Sequence, residues 1–185
     1  MSLARKYKKS FEEQWSMRFK TRHPDGNSFD GVIAHLKHSF VVLREEREFE
    51  FDGVVILAKK FVKGFRDGKY ERCANQILRE NGAIKKLRVP RWLDSCETIP
   101  QALATMMRRD IWPAVEIVYN EGRDSAFYLG VITGVEDEQF SIKSYDAAGK
   151  WEKNSTLDYD EIFKIEFDSR YCKHFNAHMK SKNGA

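Results

Sequence analysis

Apolar and polar residues alternate along much of this chain, in segments too short for long helices. Met17, Phe19 and Thr21 fall on one side of such a segment, with Arg18, Lys20 and Arg22 on the other, as a half-buried strand requires. Val115, Ile117 and Tyr119 repeat the pattern, and Phe163, Ile165 and Phe167 give it a third time. Two stretches share a further signature. Gly31-Val32-Ile33 is followed by Phe40 and Val42, and Gly130-Val131-Ile132 by Phe140 and Ile142. Trp15 stands 16 residues before the first glycine and Trp112 stands 18 before the second. One small β unit used twice is the simplest reading.

Turn chemistry falls between these segments: His23-Pro24-Asp25-Gly26-Asn27 in the first half, and Asn120 to Asp124, Asp137-Glu138 and Asp146 to Gly149 in the second. Asp52-Gly53 predicts a kink or tight turn ahead of the apolar run Val54 to Ala58. A glycine inside a strand weakens it but suits a place where a sheet bends sharply.

Elsewhere the period changes to that of a helix. Leu3, Tyr7 and Phe11 predict one face of an N-terminal helix whose other side shows Arg5, Lys6, Lys8 and Lys9. Tyr70, Cys73, Ile77 and Leu78 predict a second, stopped at Asn81-Gly82. Thr98-Ile99-Pro100-Gln101 has the form of a capping box opening a third, with Ile99, Leu103, Met106 and Met107 as its stripe. Arg170 to Lys180 predicts a closing helix with Tyr171, Phe175 and His178 or Met179 inward, and a frayed tail from Ser181 to Ala185.

The expected organisation is an N-terminal basic amphipathic helix at residues 1–14, a first barrel with its following helix at 15–82, a connector with a helix at 83–111, and a second barrel with a C-terminal helix at 112–185. The fold class is mainly β (α+β): two small antiparallel β-barrels in tandem with flanking helices. About five bent strands per copy favour a closed or nearly closed barrel, which removes exposed edges. A barrel of about 60 residues is marginal alone, so the two copies are expected to pack together.

Charge adds little to this. Of the net +4, residues 1–22 carry seven basic side chains against Glu12 and Glu13, a net +5, leaving −1 for the remainder. No apolar run approaches the roughly 20 residues that span a bilayer, and no basic-then-apolar leader opens the chain, so the cytoplasm is the expected location and no membrane partner is expected. Cys73, Cys96 and Cys172, odd in number and widely spaced, fit reduced thiols.

Chemistry-bearing patterns are sparse. Cys96 sits among acids and lacks a base, and no serine has the context that presents a nucleophile. His174 and His178, four apart with Cys172 nearby, lack the third and fourth ligands of a zinc site. The expectation is a non-enzymatic protein without cofactor or metal. Four basic groups, Arg5, Lys6, Lys8 and Lys9 with Arg18 to Arg22, Lys59 and Lys60 with Lys63 and Arg66, and Lys85 and Lys86 with Arg88 and Arg91, would track a phosphate backbone if the fold gathers them, with Phe61 or Trp92 stacking on bases. Spread apart, they are an ordinary solvated face. Trp15 and Trp112 read as barrel plugs.

At its two Gly-Val-Ile strands the chain resembles the Sm-like fold, a helix followed by a bent five-strand barrel of the SH3-like type. Phe29 to Gly82, with Phe51-Asp52-Gly53-Val54-Val55, is also similar to a widespread bacterial domain of unassigned function. The Sm resemblance implies ring assembly and single-stranded RNA binding through loops. RNA-binding members carry an Asp followed by an Asn after the second strand and an Arg-Gly pair near the fourth. Here Lys37-His38-Ser39 and Glu136-Asp137-Glu138 stand at the first place, neither copy has the Arg-Gly pair, and the acidic second loop repels phosphate. The expected function is a binding module acting by protein interaction or self-assembly, with Sm-type nucleic-acid binding as the alternative.

Overall fold

The computed structural model describes residues 2–26 and 28–182. Its elements in order are α1 (Leu3–Glu12), β1 (Met17–Thr21), β2 (Ser28–Leu36), β3 (Phe40–Arg47), β4 (Glu50–Ala58), β5 (Val62–Arg66), α2 (Lys69–Glu80), α3 (Ile99–Arg108), β6 (Ala114–Tyr119), β7 (Asp124–Val135), β8 (Gln139–Tyr145), β9 (Trp151–Asp158), β10 (Ile162–Phe167) and α4 (Arg170–Lys182). Short 3₁₀ turns, Lys59–Phe61 and Tyr159–Glu161, separate β4 from β5 and β9 from β10. Among the described residues the fold is mainly β, with four α-helices. No helix among the described residues is long and apolar enough to cross a membrane.

All ten strands join one antiparallel sheet in the order β5-β1-β2-β3-β4-β10-β6-β7-β8-β9. The order falls into two blocks of five with the same internal sequence, the last strand of each block lying beside its first. Register irregularities recur at matching places: Ile33/His35 and Ile132/Gly134 between second and third strands, Arg44/Glu46 and Lys143/Tyr145 between third and fourth. Bulges of this kind bend a strand and sharpen its twist. The two interior glycines sit at the bends. A Cβ on Gly31 would lie 2.6 Å from Arg44 O, and one on Gly130 would press into Lys143 O and stand 2.8 Å from Ser144 Cα. Only glycine lets the crossing strands approach this closely.

Closure is where the expectation fails. Among the described residues no ladder joins β4 to β5 or β9 to β10; instead β4 pairs with β10, so the sheet is continuous and open. Of the two readings of Asp52-Gly53, kink or tight turn, the kink holds and the turn lies elsewhere. That turn is Glu48-Phe49, both at positive φ, while Gly53 (φ 73°) is a kink inside β4 whose missing side chain makes room for Ser169.

The helices are placed as expected but rotated. Tyr7 and Ser10 are the buried residues of α1, while Leu3 and Phe11 remain 44% and 42% exposed. In α2 the buried residues are Glu71, Ala74, Asn75 and Leu78 rather than Tyr70, Cys73 and Ile77. Met107 of α3 and Tyr171 of α4 are exposed, whereas Cys172 and Met179 are buried. Polar anchors account for three of these shifts. Ser10 Oγ accepts from Ile33 N at 3.1 Å. Asn75 Oδ1 accepts from Ser16 N and its Nδ2 donates to Ser16 O, both at 2.8 Å. At the same helix position in α4, Asn176 Nδ2 donates to Trp112 O at 2.8 Å. Trp15 and Trp112 are half-buried beneath Lys9 (4.4 Å) and Lys180 (4.6 Å), against the helices rather than inside a barrel. Ser181 and Lys182 belong to α4, and the rest of the expected tail, like Asn27 of the first turn, lies outside the described residues.

Gly31→Ala and Gly130→Ala should each lower the free energy of unfolding by about 2 kcal/mol or more through forced strand displacement. Gly134→Ala, where a Cβ would meet nothing closer than Ser141 Cβ at 3.7 Å, should cost little. Urea denaturation of the three variants checks the ranking.

Candidate functional site

The β4–β10 joint holds the molecule together, and its sequence shows why. Val54, Val55, Ile56 and Leu57 form an unbroken apolar run because β4 is buried on both faces. Val54, Ile56 and Ala58 pack with Leu103 and Met106 of α3 and with Val115, Ile165 and Phe167 of the second block. Val55 and Leu57 pack with Tyr7, Met17 and Phe19 in the first block's core, which Val118 and Phe163 of the second block also enter. Phe163 stands edge-on to Phe61 at 5.6 Å and beside His23 at 4.9 Å. Neither core belongs to one block alone.

A chain of charges crosses the same joint. His23, wholly buried in the turn after β1, has Nε2 2.7 Å from Glu116 Oε1 on β6, and its Nδ1 accepts from Asp25 N at 3.2 Å. Lys164 on β10 reaches Glu116 at 3.4 Å and Glu166 at 3.7 Å. Arg47 on β3 reaches Glu166 at 3.9 Å and Glu45 at 3.0 Å. Burial pushes the Glu45 carboxyl above its usual range, against the pull of Arg47. Arg47 is raised as well, because Glu45 and Glu166 outweigh its own desolvation. At the rim, Asp52 Oδ1 accepts from Arg170 N at 2.8 Å, so the first block caps the last helix of the second.

The loops after β2 and β4 of the first block meet the corresponding loop of the second at one end of the joint. Lys59 Nζ donates to the carbonyls of Lys37 and His38, and Lys60 Nζ to the carbonyl of Asp160 and, at 3.2 Å, to its carboxylate. His38, Ser39, Lys60, Pro100, Tyr159 and Asp160 line a pocket of about 300 Å³ there. Tyr159 stacks on Phe140 at 5.9 Å and donates to Glu136 O at 2.7 Å, with its phenol pKa raised by burial. Glu136, Asp137, Glu138 and Glu161 make the second block's side of this end acidic.

Arg5, Lys6, Lys8, Lys9, Lys59, Lys60, Lys85 and Lys86 are not gathered into one patch. Lys59 lies 5.3 Å from the ring of Tyr7, which brings it beside α1. Lys6 donates to Phe65 O at 3.0 Å and Lys9 pairs with Asp67 at 2.8 Å, so both fasten α1 to the end of β5. Lys8 pairs with Glu12 at 3.6 Å, and Arg5 is exposed. Lys85 and Lys86 are across the sheet: Ile84 and Leu87 beside them pack on Val32, while the next residue, Ile33, faces Tyr7. The sequence offered no sign of the joint's charge chain, because Glu116, Lys164 and Glu166 read as the solvent side of alternating strands. Cys96 is buried in the core that packs with α3, and burial raises its thiol pKa.

Lys164→Met should destabilise the protein by about 2 kcal/mol, since it removes the ammonium shared by two largely buried carboxylates and leaves Glu116 only His23 and Glu166 only the more distant Arg47, and adding Glu116→Gln should return part of the loss. Chemical denaturation of the single and double variants measures both terms. Compared with known protein families, curated proteins and solved structures, the chain matches none.

Proposed function

We propose that this chain is a tandem of two Sm-like barrels acting as a non-enzymatic binding module, through protein contacts at its open edge strands and through self-association in particular. The repeated strand order, the matched bulges and the paired glycines support the tandem reading. The observation that carries the functional reading is the joint: the fourth strand of one block lies against the fifth of the other, which leaves a fourth strand, β9, and a fifth, β5, open at the two ends of the sheet.

In the joint Lys164 faces Leu57 and Ile165 faces Ile56. The same register between two chains would set Gly64 against Leu157 and Phe65 against Thr156. Lys60 and Asp160, paired across the internal joint, would again meet opposite charge with their places exchanged. Both open edges carry charged side chains, Lys63 and Arg66 on β5 and Glu152, Lys153 and Asp158 on β9, a device that blunts permanent edge pairing. The association is therefore reversible and salt-sensitive.

Single-stranded nucleic-acid binding of the Sm type is the second reading, supported by Lys37, His38, Lys59 and Lys60 lying together at one loop end. The acids of the second block oppose it. A salt titration against single-stranded RNA decides: phosphate-driven binding falls steeply with salt, and no binding at low salt removes this reading.

Light scattering over a concentration series tests self-association, with a mass rising above 21.7 kDa as the expected result. Successive residues of an edge strand turn their N–H groups alternately inward and outward, so one of Ser155→Pro and Thr156→Pro removes an outward donor only. That variant should stay folded and run as a single chain. A single-chain mass for the wild type at every concentration would contradict self-association.

A further inference from the structure

A pocket of about 240 Å³ lies between β7, the β8–β9 hairpin and α4, away from the joint. Three aromatic rings wall it. Phe127 is 50% and Tyr171 44% exposed. Their ring centres are 6.2 Å apart at 70°, and Phe175 continues the row 4.7 Å from Tyr171. Leu129 and Tyr145 form a buried floor, and because the Tyr145 hydroxyl donates to Asn176 Oδ1 at 2.9 Å, its polar end is already used.

The charge in this pocket has one sign. Asp146 and Glu152 are its only ionisable acids or bases besides the tyrosines, and neither is paired with a basic side chain among the described residues. Asp146 Oδ1 is committed to the hairpin, accepting from Ala148 N and Lys150 N. Glu152 Oε2 accepts from Ser144 Oγ at 2.7 Å, which fixes the carboxylate and leaves Oε1 open. Lys182, which α4 sends to this hairpin, is held by Ala148 O rather than by either acid, and Lys143 of the hairpin lies over the Trp151 ring. Aromatic faces attract a cation through their quadrupole, and a fixed carboxylate beside them adds a directional acceptor.

We propose that this pocket receives the guanidinium of an arginine presented by a partner protein. A planar guanidinium stacks on a ring while its edge donates to a carboxylate, and it is more weakly hydrated than an ammonium, so it enters a half-apolar pocket at lower desolvation cost. The site is distinct from the joint, and its occupant does not depend on whether the chain self-associates.

The test is a titration of the full chain, followed by backbone amide chemical shifts, with a blocked Gly-Arg-Gly tripeptide and its citrulline isostere, which has the same shape without the charge. Saturable shifts confined to the neighbourhood of Phe127, Glu152 and Tyr171 are expected for arginine, with citrulline at least about threefold weaker, the ratio an exposed cation–π contact supports. Phe127→Leu, which keeps apolar bulk, and Glu152→Gln, which keeps shape, should each weaken arginine binding by a similar factor while leaving the unfolding midpoint unchanged. Equal binding of citrulline, shifts centred elsewhere, no saturable shifts, or indifference to both substitutions would each overturn the proposal.

Discussion

The antiparallel pairing of β4 with β10 is the constraint from which the rest of the structure follows. A strand buried on both faces must be apolar throughout, and Val54 to Ala58 is. Its counterpart in the second block, β9, ends an open sheet and reads Asn154-Ser155-Thr156-Leu157, polar but for one residue. Two strands with the same place in their blocks thus differ in sequence because one is covered and the other is not. Burying an aliphatic side chain is worth about 1.5–3 kcal/mol, so uncovering four in a row would consume an amount comparable with the ~5–15 kcal/mol net stability of a domain. The blocks hold together or unfold together.

Burial at the joint brings a cost of its own. Glu45, Glu166 and His23 are polar groups taken out of water, and each is met by a charged neighbour. Such pairs add less stability than an apolar replacement would, but they are strict about partners. Glu116 meets His23, and Glu166 meets Arg47, only in the observed strand register. The apolar side chains of β4 supply most of the adhesion, and the charges fix the alignment.

Much of this plan could be read in the sequence, and the places where reading failed share a cause. Strand positions, turns, the capping box at Thr98 and the bends at Gly31 and Gly130 depend on local chemistry, which a sequence states directly. Helix rotation was misread in α1 and α2 because Ser10 and Asn75 look like solvent-facing residues, yet their side chains hold the backbone at Ile33 and Ser16. Alternation also hid the joint's charges, since Glu116 and Lys164 occupy the positions a half-exposed strand gives to water. The run Val54 to Ala58 announced a strand covered on both sides without naming its cover, because pairing between strands more than a hundred residues apart leaves no local trace. The pocket walled by Phe127, Tyr171 and Phe175 was equally invisible, as it gathers residues from β7, the β8–β9 hairpin and α4.

A sheet held by an apolar strand at its centre and bounded by charged edges should be firmest in its middle. Native-state amide hydrogen exchange examines that arrangement most directly. The inward-bonded amides of Val54 to Leu57 and of Lys164 to Phe167 should exchange only through global unfolding, with protection equal to the full unfolding free energy. The amides of β5 and β9 that face outward should exchange fastest in the sheet. If the β4 and β10 amides opened at a lower free energy than the interiors of the two blocks, the blocks would be separable units, and the joint would not be what holds the fold.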